Sequence, residues 1–175
     1  MINRVLVFDV ETTGLIKKNV PLPYITQMSF VVYDFNQRQI IKSYNYYIKI
    51  PDHVVIDPFI TQLTRITHEI CNTQGVDIID ALKDLYNCYM MSDCIVAHNI
   101  EFDEKMIKIE MERNRKIIEE KNHYLMLLFN DKYSKIFNIE SYCTMKNNID
   151  FCSIYFTNSK ASLLIPIDFF INAIS

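Results

Sequence analysis

Val5-Leu6-Val7-Phe8-Asp9-Val10-Glu11-Thr12-Thr13-Gly14-Leu15 is the stretch whose reading decides the fold. Four consecutive apolar residues, Val5 to Phe8, are expected to form a strand buried on both faces. Asp9 and Glu11 follow at its C-terminal end and, spaced by two, project to the same side. Carboxylates are costly to bury unless they are paired, hydrogen-bonded or bound to metal. Thr12, Thr13 and Gly14 are expected to break the strand, with Gly14 allowing something bound to approach the backbone closely. Two oxygen donors aimed at one point beside a glycine turn suit a hard divalent cation. The plainer alternative is a solvated turn with no task.

Composition narrows the rest. The 175 residues are long enough for one domain with a real core. Half are hydrophobic and 22% are charged, a globular rather than a disordered balance. No apolar run reaches membrane-spanning length, and Met1-Ile2-Asn3-Arg4 leads straight into a strand. An intracellular place, cytoplasmic or nuclear, without signal peptide or membrane association is therefore expected. Cys71, Cys88, Cys94, Cys143 and Cys152 are odd in number and form no Cys-x-x-Cys pair, so reduced thiols are expected. The formal net charge of −3 does not advertise nucleic-acid binding. It does not exclude it, because metal ions in an acidic site change the local sign.

Outward from the opening strand, residues 16–23 read as a loop carrying Lys17 and Lys18. Residues 25–33 and 39–48 are rich in β-branched and aromatic side chains and are joined by polar residues 34–38, which reads as a hairpin. Apolar spacing predicts helices over 59–65, 76–91 and 100–115, with a short buried strand at 94–97 between the last two. The charged residues 113–121 read as a solvated face or loop, followed by a short helix at 123–129 and a strand at 137–143. Asp103 lies one turn before Met106 and Ile107, on or beside the inward face, where an ordinary helix would carry leucine.

Ala97-His98-Asn99-Ile100-Glu101-Phe102-Asp103 is the second motif. With Phe8-Asp9-Val10-Glu11-Thr12-Thr13-Gly14-Leu15, it resembles the DEDD 3′–5′ exonucleases of the DnaQ-like, DEDDh type, in the right order and setting. Leu63-Thr64-Arg65-Ile66-Thr67 and Tyr142-Cys143-Thr144-Met145 add smaller agreements, so the resemblance covers roughly residues 4–146. It implies an α/β, ribonuclease H-like fold with a mixed five-stranded sheet flanked by helices. It also implies two-metal phosphodiester hydrolysis with Mg2+ or Mn2+, two ions per site. Asp9 would bridge the ions, Glu11 would hold one and help place the attacking water, and Asp103 would help hold the other. Thr12, Gly14 and Leu15 would lie against a 3′-terminal nucleotide, with His98, Asn99 and Phe102 lining the same groove. His98 is equally readable as a structural histidine, and Arg65 reads more simply as solvated than as a phosphate contact.

The family's third motif, a histidine and an aspartate separated by four residues, is not found. Of the four histidines, His53, His68, His98 and His123, only His98 is followed five positions later by aspartate, and that is Asp103 of the second motif. His123, the one histidine after Asp103, is followed by apolar Leu127 and Leu128. Asp168 lies at a plausible distance from Asp103, but Leu163 stands where the histidine would be, Tyr155 does not replace it, and Pro166 interrupts a helix there. Residues 1–175 thus read as one exonuclease-like domain whose part from about 147 is atypical or truncated. The favoured reading is that the third motif is lost; the other makes Asp168 an unconventional fourth ligand. Two functions follow: a 3′–5′ exonuclease on single-stranded DNA or RNA ends, impaired to some degree, or an inactive nucleic-acid-binding domain. The partners implied are nucleic-acid 3′ ends, with a polymerase or repair complex compatible. Asp9-Val10-Glu11-Thr12-Thr13 also loosely echoes haloacid-dehalogenase phosphatases, a reading that leaves residues 98–103 unexplained.

Overall fold

The computed structural model describes residues 2–147. Asp168, Leu163, Pro166, Tyr155 and Cys152 lie outside the described residues. Strand β1 runs from Arg4 to Thr12, β2 from Ile25 to Asp34 and β3 from Gln39 to Tyr47. They pair antiparallel in chain order, as the alternating sequences anticipate. The β2–β3 turn is closed by the Asp34 carboxylate, which accepts the N–H groups of Asn36 and Gln37 at 2.9 and 3.0 Å.

Helices α1 (Pro58–Thr64), α2 (His68–Gln74) and α3 (Ile78–Met90) follow, then β4 (Cys94–Ala97). Asp77 caps α3 by accepting Ile79 N–H at 2.8 Å, and Ile79, Leu82, Leu85 and Tyr89 bury its inward stripe. β4 lies parallel to β1, pairing Val5 with Cys94 through Val7 with Val96. Helices α4 (Ile100–Arg113) and α5 (Arg115–Lys121), a 3-10 helix at His123–Leu127, α6 (Asp131–Phe137), β5 (Glu140–Cys143) and α7 (Thr144–Asn147) complete the described chain. β5 pairs parallel with β4, giving a mixed five-stranded sheet in the order β3-β2-β1-β4-β5.

Leu6, Phe8 and Val10 on β1 join Met28, Phe30 and Val32 on β2 in the main core, against Leu82 and Leu85 of α3 and Met106 and Ile107 of α4. Phe8 stacks on Phe129 at 5.3 Å, directly before Asp9 in the chain. Val5 and Val7, on the other face, are only half-buried and stand outside that core. β1 is thus fully buried on one face, not on both. The four described cysteines are free and buried.

Three further expectations are corrected. Residues 115–121 are a helix, not a loop: Ile118 is fully buried and anchors a turn whose remaining side chains are mostly solvated and charged. The strand expected at 137–143 begins only at Glu140, because α6 runs to Phe137 and Asn138 ends it in the left-handed region. Helix α2 was not anticipated. Thr67 caps it by accepting Ile70 N–H at 3.2 Å, and its Cys71 joins a second small core with Ile50, Ile56 and Ile66.

Candidate active site

β1 is the middle strand and has an antiparallel neighbour on one side and a parallel one on the other. Beyond the C-terminal end of such a strand, where the order of connection reverses, an open sheet leaves a crevice. Asp9 and Glu11 lie in the C-terminal half of β1, past the end of its ladder with β4 and half-buried on the face opposite Val10. Their register places them across from Ser29 and Gln27, and a bulge between Glu11 and Thr12 then bends the strand.

Asp103 reaches the same place from α4. The β1–β4 ladder ends at Val7 and Val96, which leaves the β1 edge beyond it without a strand neighbour. Val10 N–H is satisfied instead by the Asp103 carboxylate, at 3.1 Å. Asp103 is 3% exposed. Burial, and then the negative charge of Asp9 with a smaller part from Glu11, pushes its carboxyl up to about 8, against the opposing Val10 hydrogen bond. Residues nearly a hundred positions apart are therefore in electrostatic reach of one another.

Thr12 is buried, and its hydroxyl donates to Gly14 C=O at 2.7 Å, closing the turn after the bulge. Among the described residues, chain neighbours apart, no atom would lie within 4 Å of a Cβ at Gly14, whose backbone is not left-handed. Leu15 is 65% exposed beside it.

His98 and Asn99 join β4 to α4 and are half-buried. The His98 ring nitrogen Nδ1 and Thr144 Oγ1 are hydrogen-bonded at 3.1 Å, and burial pushes the imidazole down from its ordinary range. His98 C=O accepts Met145 N–H at 2.9 Å, which ties the segment to α7. Asn99 makes no side-chain capping bond to α4; its C=O accepts Phe102 N–H at 2.8 Å. Phe102 is half-buried and packs against the main core, so it offers the crevice one part of its ring at most. Arg65 is exposed and caps α1 in the left-handed region.

The donor set consists of carboxylate oxygens, which fit a hard divalent cation such as Mg2+ or Mn2+ better than a soft metal. A buried carboxyl raised by neighbouring negative charge is one that a cation would return to its ionised form. Among the described residues, no three His, Cys, Asp or Glu side chains already stand at ligand spacing, so the fit is one of donor chemistry.

Two features escaped the sequence reading. Thr144 as the partner of His98 required β5 to lie beside β4. The ties from Arg113 and Glu110 to the β1–β2 loop required its far end to return to α4. The inward position of Glu110 was the one local signal.

Residues 6–150 match the RNase T family described as Exonuclease. Among solved structures, a product-bound exonuclease I is similar at 17% identity and a TM-score of 0.64, covering 89% of this chain and 32% of that one. Escherichia coli exonuclease I with a dT13 oligonucleotide gives 17% identity and a TM-score of 0.62, covering 81% and 28%. The zinc-ion-bound complex of that enzyme with single-stranded DNA gives 18% and 0.61, covering 82% and 28%. The chain thus spans 28–32% of the length of these exonuclease I structures. At such identity the likeness shows the fold. Comparison with curated proteins gives no match.

Proposed function

The chain belongs to the RNase T-type exonuclease family, and we propose that it is a metal-dependent 3′–5′ exonuclease acting on single-stranded DNA or RNA ends. The observation that carries this reading is that Asp103 comes within electrostatic reach of Asp9 and Glu11. Asp103 is drawn to the bare edge of β1 and raised to about 8 by burial and by its two acidic neighbours. A fold with no use for a cation there would gain by carrying a neutral acceptor such as asparagine at position 103, which keeps the bond to Val10 N–H without a buried charge.

Asp9, Glu11 and Asp103 would hold the ions, with Asp9 serving both. Two bound ions would supply activation of the attacking water and stabilisation of the departing 3′ oxygen. Glu11 would also help place that water by accepting a hydrogen bond from it. Thr12 fixes the turn through its bond to Gly14, so that Gly14 presents bare backbone and Leu15 an apolar surface to the terminal nucleotide. His98 and Asn99 line the groove with Phe102. His98, held by Thr144 and depressed by burial, is present largely as neutral imidazole at pH 7 and above. A polymerase or repair complex is a compatible setting for such a domain.

A second reading, an inactive nucleic-acid-binding domain, is favoured by one specific observation: the one histidine after Asp103, His123, is followed five positions later by Leu128 and not by aspartate. Loss of a positioned base costs about a hundredfold or more in rate. Incubating the full chain with 5′-labelled single-stranded DNA and RNA, plus Mg2+ or Mn2+, separates the two. A ladder shortening from the 3′ end, reduced about a hundredfold or more in Asp9→Ala, is expected for the exonuclease. Binding of ends without cleavage would favour the inactive domain. Cleavage unchanged in Asp9→Ala would contradict the proposed site.

A further inference from the structure

Two turns beyond Asp103 on α4, a second buried carboxylate is spent on a different task. Glu110 is 5% exposed at its side chain, and its Oε1 accepts the N–H of Ile25, the first residue of β2, at 3.1 Å. The same oxygen pairs with the Arg113 guanidinium, which is 22% exposed. Arg113 Nη2 donates to Leu22 C=O at 2.7 Å and to Pro23 C=O at 2.8 Å. The guanidinium plane also lies over the Tyr24 ring at 3.7 Å.

An ordinary exposed helix pair at this spacing has one contact and contributes little. Here one guanidinium and one carboxylate fasten four consecutive residues, Leu22 to Ile25, where the β1–β2 loop enters β2. The hold passes to the front of the loop through a reciprocal pair. Thr13 N–H donates to Tyr24 C=O at 2.9 Å, and Tyr24 N–H donates to Thr13 Oγ1 at 3.0 Å. Thr13 sits between Thr12 and Gly14. The helix that carries Asp103 in its first turn therefore anchors, from its last turns, the loop that flanks Asp9 and Glu11.

We propose that Glu110 and Arg113 are a positioning pair that holds the β1–β2 loop in register with the carboxylates, so that a nucleic-acid strand is gripped at its terminal nucleotide. This rests on the exonuclease reading for the identity of the strand. The pair touches no reacting atom; it acts through Tyr24 and Thr13 on Gly14 and Leu15. Lysine at 113 keeps the charge but lacks the planar fork that reaches two carbonyls and a carboxylate together. Glutamine at 110 keeps an acceptor for Ile25 N–H while removing the charge that aligns Arg113.

The test compares the wild-type full chain with Arg113→Ala, Arg113→Lys and Glu110→Gln. Each is assayed for anisotropy binding of a 5′-labelled single-stranded oligonucleotide in Ca2+, for KM and kcat on it in Mg2+, and for thermal melting. Bis(p-nitrophenyl) phosphate serves as a small phosphodiester with no nucleotide to grip. In Arg113→Ala the oligonucleotide Kd and KM are expected to rise about tenfold to a hundredfold. Turnover of the small ester should stay unchanged, and Arg113→Lys should not restore affinity. Equal losses on both substrates tracking a lowered melting temperature, or full rescue by lysine, would overturn the positioning role. A wild-type chain that binds the oligonucleotide but cleaves neither substrate would end the exonuclease reading, while the Kd comparison still decides the pair. A wild-type chain that neither binds nor cleaves would end both.

Discussion

At Asp103 the requirements of the site and of stability run in opposite directions. Its carboxyl, ordinarily near 3.8, is raised to about 8 by burial first and by Asp9 second. Below 3.8 both the folded and the unfolded chain hold the proton, and there is no cost. Between the two values the unfolded chain ionises while the folded chain must keep its proton or bear a buried charge. The folded state then binds more protons, so stability falls as pH rises from about 4 to 8, by at most roughly 1.4 kcal/mol per pH unit. Asp103→Asn keeps an acceptor for Val10 N–H and cannot ionise. In a chelator, thermal melts across pH 4 to 8 should show the Asp103→Asn variant flattening this decline, with its advantage over wild type largest at pH 8. Identical slopes for the two proteins would show that Asp103 is not strained by its setting.

Among the elements, the two glycines answer to different constraints. Gly75 ends α2 where the chain leaving β3 crosses it, and a Cβ there would lie 2.0 Å from Cys71 C=O and 2.8 Å from Lys49 N. Gly75→Ala must push these backbones apart, at a cost of about 1–3 kcal/mol. Among the described residues, Gly14 has no such neighbour. Gly14→Ala should leave the melting temperature unchanged while raising KM for an oligonucleotide, because the added methyl meets the substrate instead of the protein. Melting curves beside KM values check the contrast, and a large loss of stability in Gly14→Ala would remove the argument. The long periodic elements were legible in the sequence: β2, α3, β4 and α4 fall within a few residues of their expected bounds. Of the seven-residue helices, α1 lay within a residue of its expected bounds, while α2, α5 and α6 were not legible. Two turns are too short for a hydrophobic period to declare itself, and α2 and α6 owe their starts to the single caps Thr67 and Asn130. Helix α5 hides one buried residue, Ile118, in a run of charge.

On the scale of the whole molecule, the site was legible because its acidic residues lie in two short, locally ordered motifs. Asp9 and Glu11 share a strand face by period, and Asp103 follows a strand-to-helix junction. Local spacing does not reveal which distant groups complete them. Val10 N–H becomes available to Asp103 only because β4 pairs no further than Val7. Arg113 reaches Leu22 and Pro23 only because the β1–β2 loop returns to α4. Such contacts depend on strand order, which no short motif encodes. Asp168, the alternative fourth ligand, lies outside the described residues. The most direct measurement is therefore a titration of Mn2+ into the full chain at pH 8, followed by the paramagnetic resonance signal of free ion. Wild type is expected to remove free Mn2+ saturably, and Asp9→Ala and Asp103→Asn to weaken that binding by at least about tenfold. Undiminished Mn2+ binding in both variants would contradict the claim that these carboxylates form one metal-dependent site.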